Sequence, residues 1–240
     1  MLKEIPLNER IIFALDVTSH EEAMVLVEKL DNDIKFFKVG LQLFLAGWFK
    51  TIDAVIERGN KVMVDLKFFD IPETVKLAVD QLKNRGVTFA TVHGNDPILR
   101  AAVQDKDSAL KILAVTVLTS FDEEDMRQMG MTGSVRDLVL LRSRKALEIG
   151  CDGVVSSALE AQPLRNDLGR NFLIVTPGIR PGANVDDGSD DQKRIATARQ
   201  AIINGADYVV IGRPIRDSTD PIALIRDLQR EIAEGLAEQR

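Results

Sequence analysis

Eight short runs of β-favouring residues, each followed by a segment with helical periodicity, recur along the 240-residue chain. The clearest runs are residues 11–15 and 61–66, which are rich in Ile, Val and other apolar residues. Regular alternation of strand and helix predicts a parallel sheet with crossover helices. Eight such units match a single-domain α/β fold, the (β/α)8 TIM barrel, over residues 1–240; the alternative, an open doubly wound sheet, usually has fewer strands. The predicted strands lie near residues 10–16, 34–39, 61–67, 87–92, 111–118, 152–156, 172–176 and 207–211.

The segments between the predicted strands supply the helices and the loops. Amphipathic patterns predict helices at residues 19–30, 74–85 and 192–203. Two longer segments, 121–134 and about 180–191, break the even spacing and are predicted to be loops at the C-terminal mouth of the barrel, where sites are built. Several helices are predicted to end at a glycine directly before the next strand. These glycines are Gly59, Gly86, Gly150 and Gly205.

Composition excludes several classes of protein. The apolar fraction of 45% and the charged fraction of 28% are those of an ordinary globular protein. One cysteine and two histidines cannot form an internal disulfide or a structural zinc site. The net charge is 31 − 37 = −6, and the sequence has no stripe of basic residues interleaved with aromatic ones. We therefore expect no nucleic-acid partner. Neither a signal peptide nor a membrane span is recognisable, and we expect a cytoplasmic protein.

Charged residues cluster at the ends of the first three predicted strands. Asp16 ends the first strand, Lys38 the second, and Asp65 and Lys67 the third, with Asp70 just beyond. Alternate strand residues face the same way, so these charges should meet at the mouth of the barrel. A salt-bridge network that merely closes the barrel is the alternative to a functional site. A lysine flanked by carboxylates keeps its proton, which indicates a proton donor rather than a Schiff-base lysine.

A second candidate site follows the last two strands. Residues 176–182 read TPGIRPG and residues 211–214 read IGRP. The loops after strands seven and eight are the usual phosphate cradle of barrel enzymes, and Arg213 would add a charged contact. A plain turn is the alternative interpretation of the Gly-Arg-Pro sequence. Neither nucleotide-binding glycine motif, that of ATP-binding or that of NAD-binding proteins, is present.

Three further residues could carry chemistry. His93, at the end of the fourth strand, is either a general base or a histidine whose ring bonds to backbone. Cys151 is expected to serve packing, and His20 is expected at the surface beside two glutamates.

Six segments, taken in order, resemble the orotidine 5′-phosphate decarboxylase family. They are ALD at 14–16, KVG at 38–40, DLKFFDIPET at 65–74, LTS at 118–120, TPGIR at 176–180 and IGRP at 211–214. The resemblance implies loss of CO2 from orotidine 5′-monophosphate (OMP) to give UMP, the last step of de novo pyrimidine synthesis. It further implies a homodimer and no metal or organic cofactor.

The resemblance also implies roles for individual residues. Lys67 would protonate C6 of the pyrimidine and Asp65 would lie near the substrate carboxylate. Lys38 and Asp16 would hold the ribose and complete the charge relay, and Lys38 is counted as catalytic together with Lys67 and Asp65. Asp70 and Thr74 would reach into the neighbouring subunit's site, with Asp70 counted as catalytic. The other implied substrate contacts are Ile71 beside them, Thr119 and Ser120 at the pyrimidine edge, Arg180, Gln192, Gly212 and Arg213 on the phosphate side, and Pro177.

Two rival functions remain open. One is a sugar-phosphate lyase or decarboxylase on the same barrel, which uses Mg²⁺ to stabilise an enediolate. The other is a catalytically silent barrel that only binds a phosphorylated ligand.

Overall fold

The computed structural model describes residues 3–104, 109–182 and 195–239. Eight parallel strands form a closed barrel in which each strand pairs with the next and the last pairs with the first. The strands are β1 Ile11–Ala14, β2 Phe36–Gly40, β3 Lys61–Phe68, β4 Phe89–His93, β5 Lys111–Val115, β6 Gly153–Val155, β7 Leu173–Thr176 and β8 Tyr208–Ile211. The predicted (β/α)8 barrel is confirmed. The fifth strand, predicted to reach residue 118, ends at Val115.

Helices surround the barrel and connect its strands. They are α1 His20–Leu30, α2 Leu41–Gly47, α3 Phe49–Glu57, α4 Pro72–Asp80, α5 Asp96–Val103, α6 Glu123–Gln128, α7 Val135–Ile149, α8 Ala158–Leu168, α9 Ala198–Ile203, α10 Arg213–Arg216 and α11 Pro221–Glu238. A short 3₁₀ turn, Leu7–Glu9, precedes β1.

The predicted helix boundaries agree with the structure where a cap marks them. The Ser19 hydroxyl accepts the Glu22 N–H at the start of α1, as a side-chain N-cap does. The helix predicted at 74–85 is shorter, because α4 starts with Pro72 and gives way to turns after Asp80. Of the helix predicted at 192–203, residues 192–194 lie outside the described part of the chain. The four predicted helix-ending glycines all have positive φ.

One local feature differs from the sequence prediction, and a second was not predicted. The segment 121–134 is not a plain loop, because it contains α6. Asp122 and Asp125 form a capping box at the start of α6, and each side chain accepts a backbone N–H of the other residue. The second connection carries two helices, α2 and α3. They are separated at Trp48, whose φ of 47° ends one helix and starts the next.

The apolar core has two layers, one on each face of the barrel wall. Alternate strand residues point inward and form a cluster of Ile12, Ala14, Phe36, Met63, Phe89, Leu113, Val175, Tyr208 and Val210. The ring centroids of Phe36 and Phe89 lie 4.9 Å apart, and the Tyr208 ring stands edge-on to both. Residues with the opposite parity pack against the surrounding helices. The inner layer therefore closes the barrel below its mouth.

A buried ion network closes the N-terminal end of the barrel, opposite the mouth. The Asp207 carboxylate accepts hydrogen bonds from Arg165 Nη2 at 2.8 Å, Lys3 Nζ at 3.0 Å and the Ile174 N–H at 2.9 Å. Arg10 adds a bond to the Asp207 carbonyl. A buried carboxylate with this many donors fixes the first residues of the chain against β7 and β8.

Candidate active site

A cavity of about 420 Å³ opens at the carboxyl ends of the strands. Ala14, Met63 and Val210 of the inner apolar layer also line it, so that layer forms its floor. Ten of the site residues named from the sequence line this cavity. They are Asp16, Lys38, Asp65, Lys67, Thr119, Ser120, Pro177, Arg180, Gly212 and Arg213.

Four charged side chains form a continuous row along one wall. Lys38 Nζ lies 2.9 Å from Asp16 Oδ1 and 3.8 Å from Asp65 Oδ2. Lys67 Nζ lies 3.0 Å from Asp65 Oδ1. The signs alternate along the row, and Asp65 lies between the two ammonium groups. The sequence prediction that Asp65 and Lys67 face the same way agrees with this geometry.

Asp65 is ionised although it is buried. Burial by itself would raise its pKa, but the nearby charges of Lys38 and Lys67 and the hydrogen bonds from Lys67 and Thr91 outweigh burial and lower the pKa. Its side chain is only 13% exposed, whereas that of Lys67 is 38% exposed and borders the open cavity. The wall therefore holds a fixed buried carboxylate beside an ammonium that a ligand can reach.

Lys67 has a strained backbone. Its φ is 47°, in the left-handed region that a non-glycine residue adopts at a cost of roughly 1 kcal/mol or more. The strain coincides with a register shift between β3 and β4, where Val64 pairs with Ala90 but Phe68 pairs with Val92. Four residues along β3 thus match two along β4, and Lys67, which lines the cavity, lies within the irregular stretch.

Two glycines allow the backbone to approach the charged row. A Cβ at Gly40 would lie 3.1 Å from Lys38 Nζ, and a Cβ at Gly212 would lie 3.2 Å from Ala14 Cβ and 3.5 Å from Asp16 Oδ2. A side chain at either position would crowd the groups that define the wall.

The two arginines lie on the side of the cavity formed by the loops after β7 and β8. The β7 loop is held by an exchange of backbone bonds, in which the Arg180 N–H donates to Ala196 and the Ala196 N–H donates to Gly178. Gly212 precedes α10, whose first residue is Arg213. Two cations therefore stand at the rim of the same cavity as the charged row. Gln192 and the 180–191 segment beyond Gly182 fall outside the described residues.

Three predicted site residues do not line the cavity of this chain. Asp70, Ile71 and Thr74 are exposed, and Asp70 Oδ1 accepts the N–H of Ile71. They follow β3 on an outer surface where Phe69 and Ile71 are each 67% exposed.

Sequence reasoning missed two residues at or beside the site. Thr91 on β4 is fully buried and contacts both Asp65 and Lys67. Ser156, just after β6, lines the cavity with its neighbour Val155. The signal was available, since Thr91 stands two residues after the inward-facing Phe89, but a threonine in an apolar strand suggests packing.

The structure distinguishes between the interpretations of the remaining candidates. His93 Nδ1 lies 3.1 Å from the Val115 carbonyl, which favours the interpretation of a histidine bonded to backbone. Burial lowers the pKa of the ring, and the bond to Val115 partly opposes that shift. Cys151 is buried, as predicted. The surface prediction for His20 is wrong in part, because its ring is half-buried and its Nδ1 lies 3.1 Å from Thr51 Oγ1.

Two properties of the described residues bear on ligands and membranes. Within residues 3–104, 109–182 and 195–239, no group of three His, Cys, Asp or Glu side chains is placed to hold a metal ion. In the same ranges no helix combines the length and the apolar character that crossing a membrane requires. The cytoplasmic location stays a prediction.

Fold and site together define a (β/α)8-barrel protein with a cationic, carboxylate-bearing cavity at its mouth. Residues 9–228 match the sequence profile of the Orotidine 5'-phosphate decarboxylase / HUMPS family, and the chain belongs to this family. It is an enzyme of the carboxy-lyase class.

Known proteins resemble the chain over nearly its whole length. It is 52% identical to an orotidine 5'-phosphate decarboxylase of Methylococcus capsulatus, over 98% of this chain and 96% of the relative. It is 46% identical to the protein of that name from Nitrobacter winogradskyi, over 95% of each. A crystal structure of orotidine 5'-phosphate decarboxylase from Lactobacillus acidophilus is 33% identical, with a TM-score of 0.81, and the match covers 93% of this chain and 99% of that one.

Proposed function

We propose that this protein converts OMP to UMP and CO2, a step of pyrimidine nucleotide synthesis. The observation that carries the proposal is the row of alternating charges, Asp16–Lys38–Asp65–Lys67, on one wall of a cavity whose rim bears Arg180 and Arg213. The family and the names of the relatives favour this substrate over other phosphorylated ligands.

The proposed reaction breaks the bond between C6 of the pyrimidine and its carboxylate. CO2 leaves, the electron pair stays on C6, and Lys67 Nζ gives C6 a proton. Because the carbanion has no adjacent carbonyl to accept its charge, stabilisation must come from groups fixed in place before the reaction. The ammonium of Lys67, oriented by Asp65 at 3.0 Å, supplies a positive charge first and a proton afterwards.

Asp65 has a second proposed role toward the substrate carboxylate. Its lowered pKa keeps it ionised at neutral pH, and its burial leaves it little freedom to move away. A substrate carboxylate held next to it is repelled, and the repulsion ends when CO2 departs. Lys38 lies between the carboxylates of Asp16 and Asp65, so its positive charge offsets their mutual repulsion and helps to hold Asp65 in position. Its ammonium is also available to the ribose hydroxyls.

The phosphate of the substrate is proposed to bind at the rim, with Arg213, Arg180 and the Gly212 backbone as its contacts. Arginine bonds phosphate in a bidentate manner, and glycine allows an anion to approach the main chain. Pro177, Thr119 and Ser120 complete the cavity around the base. Gln192 is retained as a proposed phosphate contact on the resemblance alone.

The proposal includes a homodimer in which Asp70 and Thr74 act in the partner's site. A groove of about 500 Å³ lined by Phe69, Asp70, Ile71 and neighbouring residues supports it, because exposed apolar side chains of this size are typical of a covered surface. Mixing Asp70→Ala and Lys67→Ala proteins tests whether two subunits build each site together. Subunit exchange should restore up to a quarter of the sites by random pairing, and no recovery after verified exchange would refute it.

The decisive test is the loss of OMP absorbance on adding purified protein treated with EDTA. Turnover that survives EDTA supports the decarboxylase, whereas a strict Mg²⁺ requirement would favour the sugar-phosphate rival. Lys67→Ala should lower kcat by at least about 10²–10⁴-fold, the contribution of general acid catalysis, with UMP affinity largely kept. A wild-type protein that binds UMP but turns nothing over would be the silent barrel.

A further inference from the structure

Thr91 lies where β3 and β4 lose their regular pairing. β3 and β4 are in register up to Val64 and Ala90, and the next rung would set Asp65 beside Thr91. Beyond it the register shifts, so the backbone of Lys67 has no regular ladder partner on β4. The side chain of Thr91 fills this position and is fully buried.

The hydroxyl of Thr91 makes two bonds at once. Its O–H donates to Asp65 Oδ1 at 2.9 Å, and its oxygen accepts the backbone N–H of Lys67 at 2.9 Å. Asp65 Oδ1 is the same oxygen that accepts Lys67 Nζ at 3.0 Å. The three groups therefore form a closed ring, from the carboxylate through the hydroxyl to the Lys67 backbone and back through the ammonium.

We propose that Thr91 is a positioning residue for the proposed decarboxylation, whose hydroxyl fixes the Asp65 carboxylate and the strained backbone of Lys67 relative to each other. It lies outside the residues that line the cavity. A methyl group in place of the hydroxyl, as in valine, would fill the same space. Only the hydrogen bonds of the hydroxyl therefore distinguish positioning from packing. The inference rests on the proposed function.

Two physical arguments support a role beyond packing. Lys67 holds a φ of 47°, which persists only when its surroundings over-determine it, and the bond from its N–H is one such restraint. The hydrogen bond from Thr91 also helps to keep Asp65 ionised despite its burial. Without the hydroxyl, the backbone at Lys67 can relax and Asp65 can rotate, and both displacements move the proton donor from its position.

The experiment compares Thr91→Val, which keeps the shape and removes the hydroxyl, with Thr91→Ser, which keeps the hydroxyl. We expect Thr91→Val to lower kcat about 10- to 100-fold with UMP affinity within about threefold of wild type, and Thr91→Ser to remain within about threefold in kcat. Thr91→Ala serves if the valine variant does not fold. Thr51→Val is the matched control, because Thr51 is equally buried but lies in α3.

The pKa of the Asp65 carboxyl, followed by carbon NMR of labelled aspartate, is the second readout. Lys38 and Lys67 face this carboxyl, with Asp16 beyond Lys38. All three are present in every variant, so their charges are constant. The pKa should rise in Thr91→Val and Thr91→Ala and stay near wild type in Thr91→Ser and Thr51→Val, a pattern that lost packing alone does not produce.

The outcomes separate this inference from the proposed function. If wild-type protein does not consume OMP, the proposed function fails, and the Asp65 titration alone then decides whether Thr91 controls the pair. If wild-type protein is active but Thr91→Val keeps its kcat, or Thr91→Ser is as impaired as Thr91→Val, the inference is overturned. An unchanged Asp65 pKa in both Thr91→Val and Thr91→Ala would overturn it as well.

Discussion

Replacing Asp65 with asparagine tests whether the charged row stabilises the fold at neutral pH. The amide keeps the shape and removes the charge that lies 3.0 Å from Lys67 Nζ and 3.8 Å from Lys38 Nζ. Breaking a buried ion pair from one side costs about 3–5 kcal/mol. Here the cost is reduced, because the Lys67 side chain is 38% exposed and Lys38 retains Asp16 at 2.9 Å. After this discount for solvent screening we expect a loss of about 2 kcal/mol in the free energy of unfolding at pH 7.

The direction of the Asp65 pKa shift determines how this loss of stability depends on pH. The folded-state pKa of Asp65 is lowered, so its contribution is fully present above the unfolded value of about 3.9 and is lost as the pH falls through the folded-state pKa. Wild type and Asp65→Asn should therefore differ by a constant amount between pH 7 and pH 5. The difference should shrink below about pH 4, where the Asp65 carboxylate takes up a proton in the unfolded chain before it does so in the folded protein.

Chemical denaturation followed by far-UV circular dichroism at pH 7, 5 and 3 measures these differences. Asp16→Asn is the control, because the Asp16 side chain is 50% exposed and its loss should cost less than about 1 kcal/mol. A variant at Asp65 that is equally stable or more stable at pH 7 would refute the reasoning. Desolvation of the carboxylate would then exceed its attraction to both lysines, and the row would be retained for catalysis at the expense of stability.

Three further predictions concern the rim, the wall and the opposite end of the barrel. Arg213→Ala should lower kcat/KM for OMP about 10- to 100-fold, mainly through KM, as steady-state kinetics with the phosphate-bearing substrate will measure. Gly40→Ala should displace the Lys38 ammonium, 3.1 Å from the added methyl, and lower kcat/KM about tenfold with a Tm close to wild type. Asp207→Asn should lower the free energy of unfolding by about 3 kcal/mol, since it breaks the buried pair with Arg165, but leave kcat/KM within about twofold. Equal losses of activity in the first and third variants would contradict the division between site and scaffold.

The repeating strand–helix pattern was sufficient to predict the barrel, because eight parallel strands in one domain have few alternatives. Strand parity was also sufficient to bring Asp65 and Lys67 together. Parity could not predict the register shift after Val64, since a shift depends on how two strands pair and not on either strand alone. For the same reason the bonds of Thr91 became visible only in the structure.

Other differences have local causes. The segment 121–134 was predicted to be a loop because it breaks the even spacing of strands and helices, yet Asp122 and Asp125 cap a short helix there. Asp70 and Thr74 stand close in sequence to Lys67 but lie on an outer surface. The sequence pattern does not show which surface a partner covers, so their proposed role depends on the resemblance and on the exposed Phe69 and Ile71 beside them.

The single tyrosine and the single tryptophan lie at different depths in the molecule and give it two independent optical signals. Burial among Phe36 and Phe89 raises the pKa of Tyr208 to about 12, so tyrosinate absorbance near pH 11 reports unfolded chains rather than folded ones. Trp48 is 65% exposed between α2 and α3, and its emission in the free protomer should be that of a water-exposed indole. Alkaline difference spectra therefore follow the interior of the barrel, while tryptophan emission follows contacts made on its outer surface, with no label added to the protein.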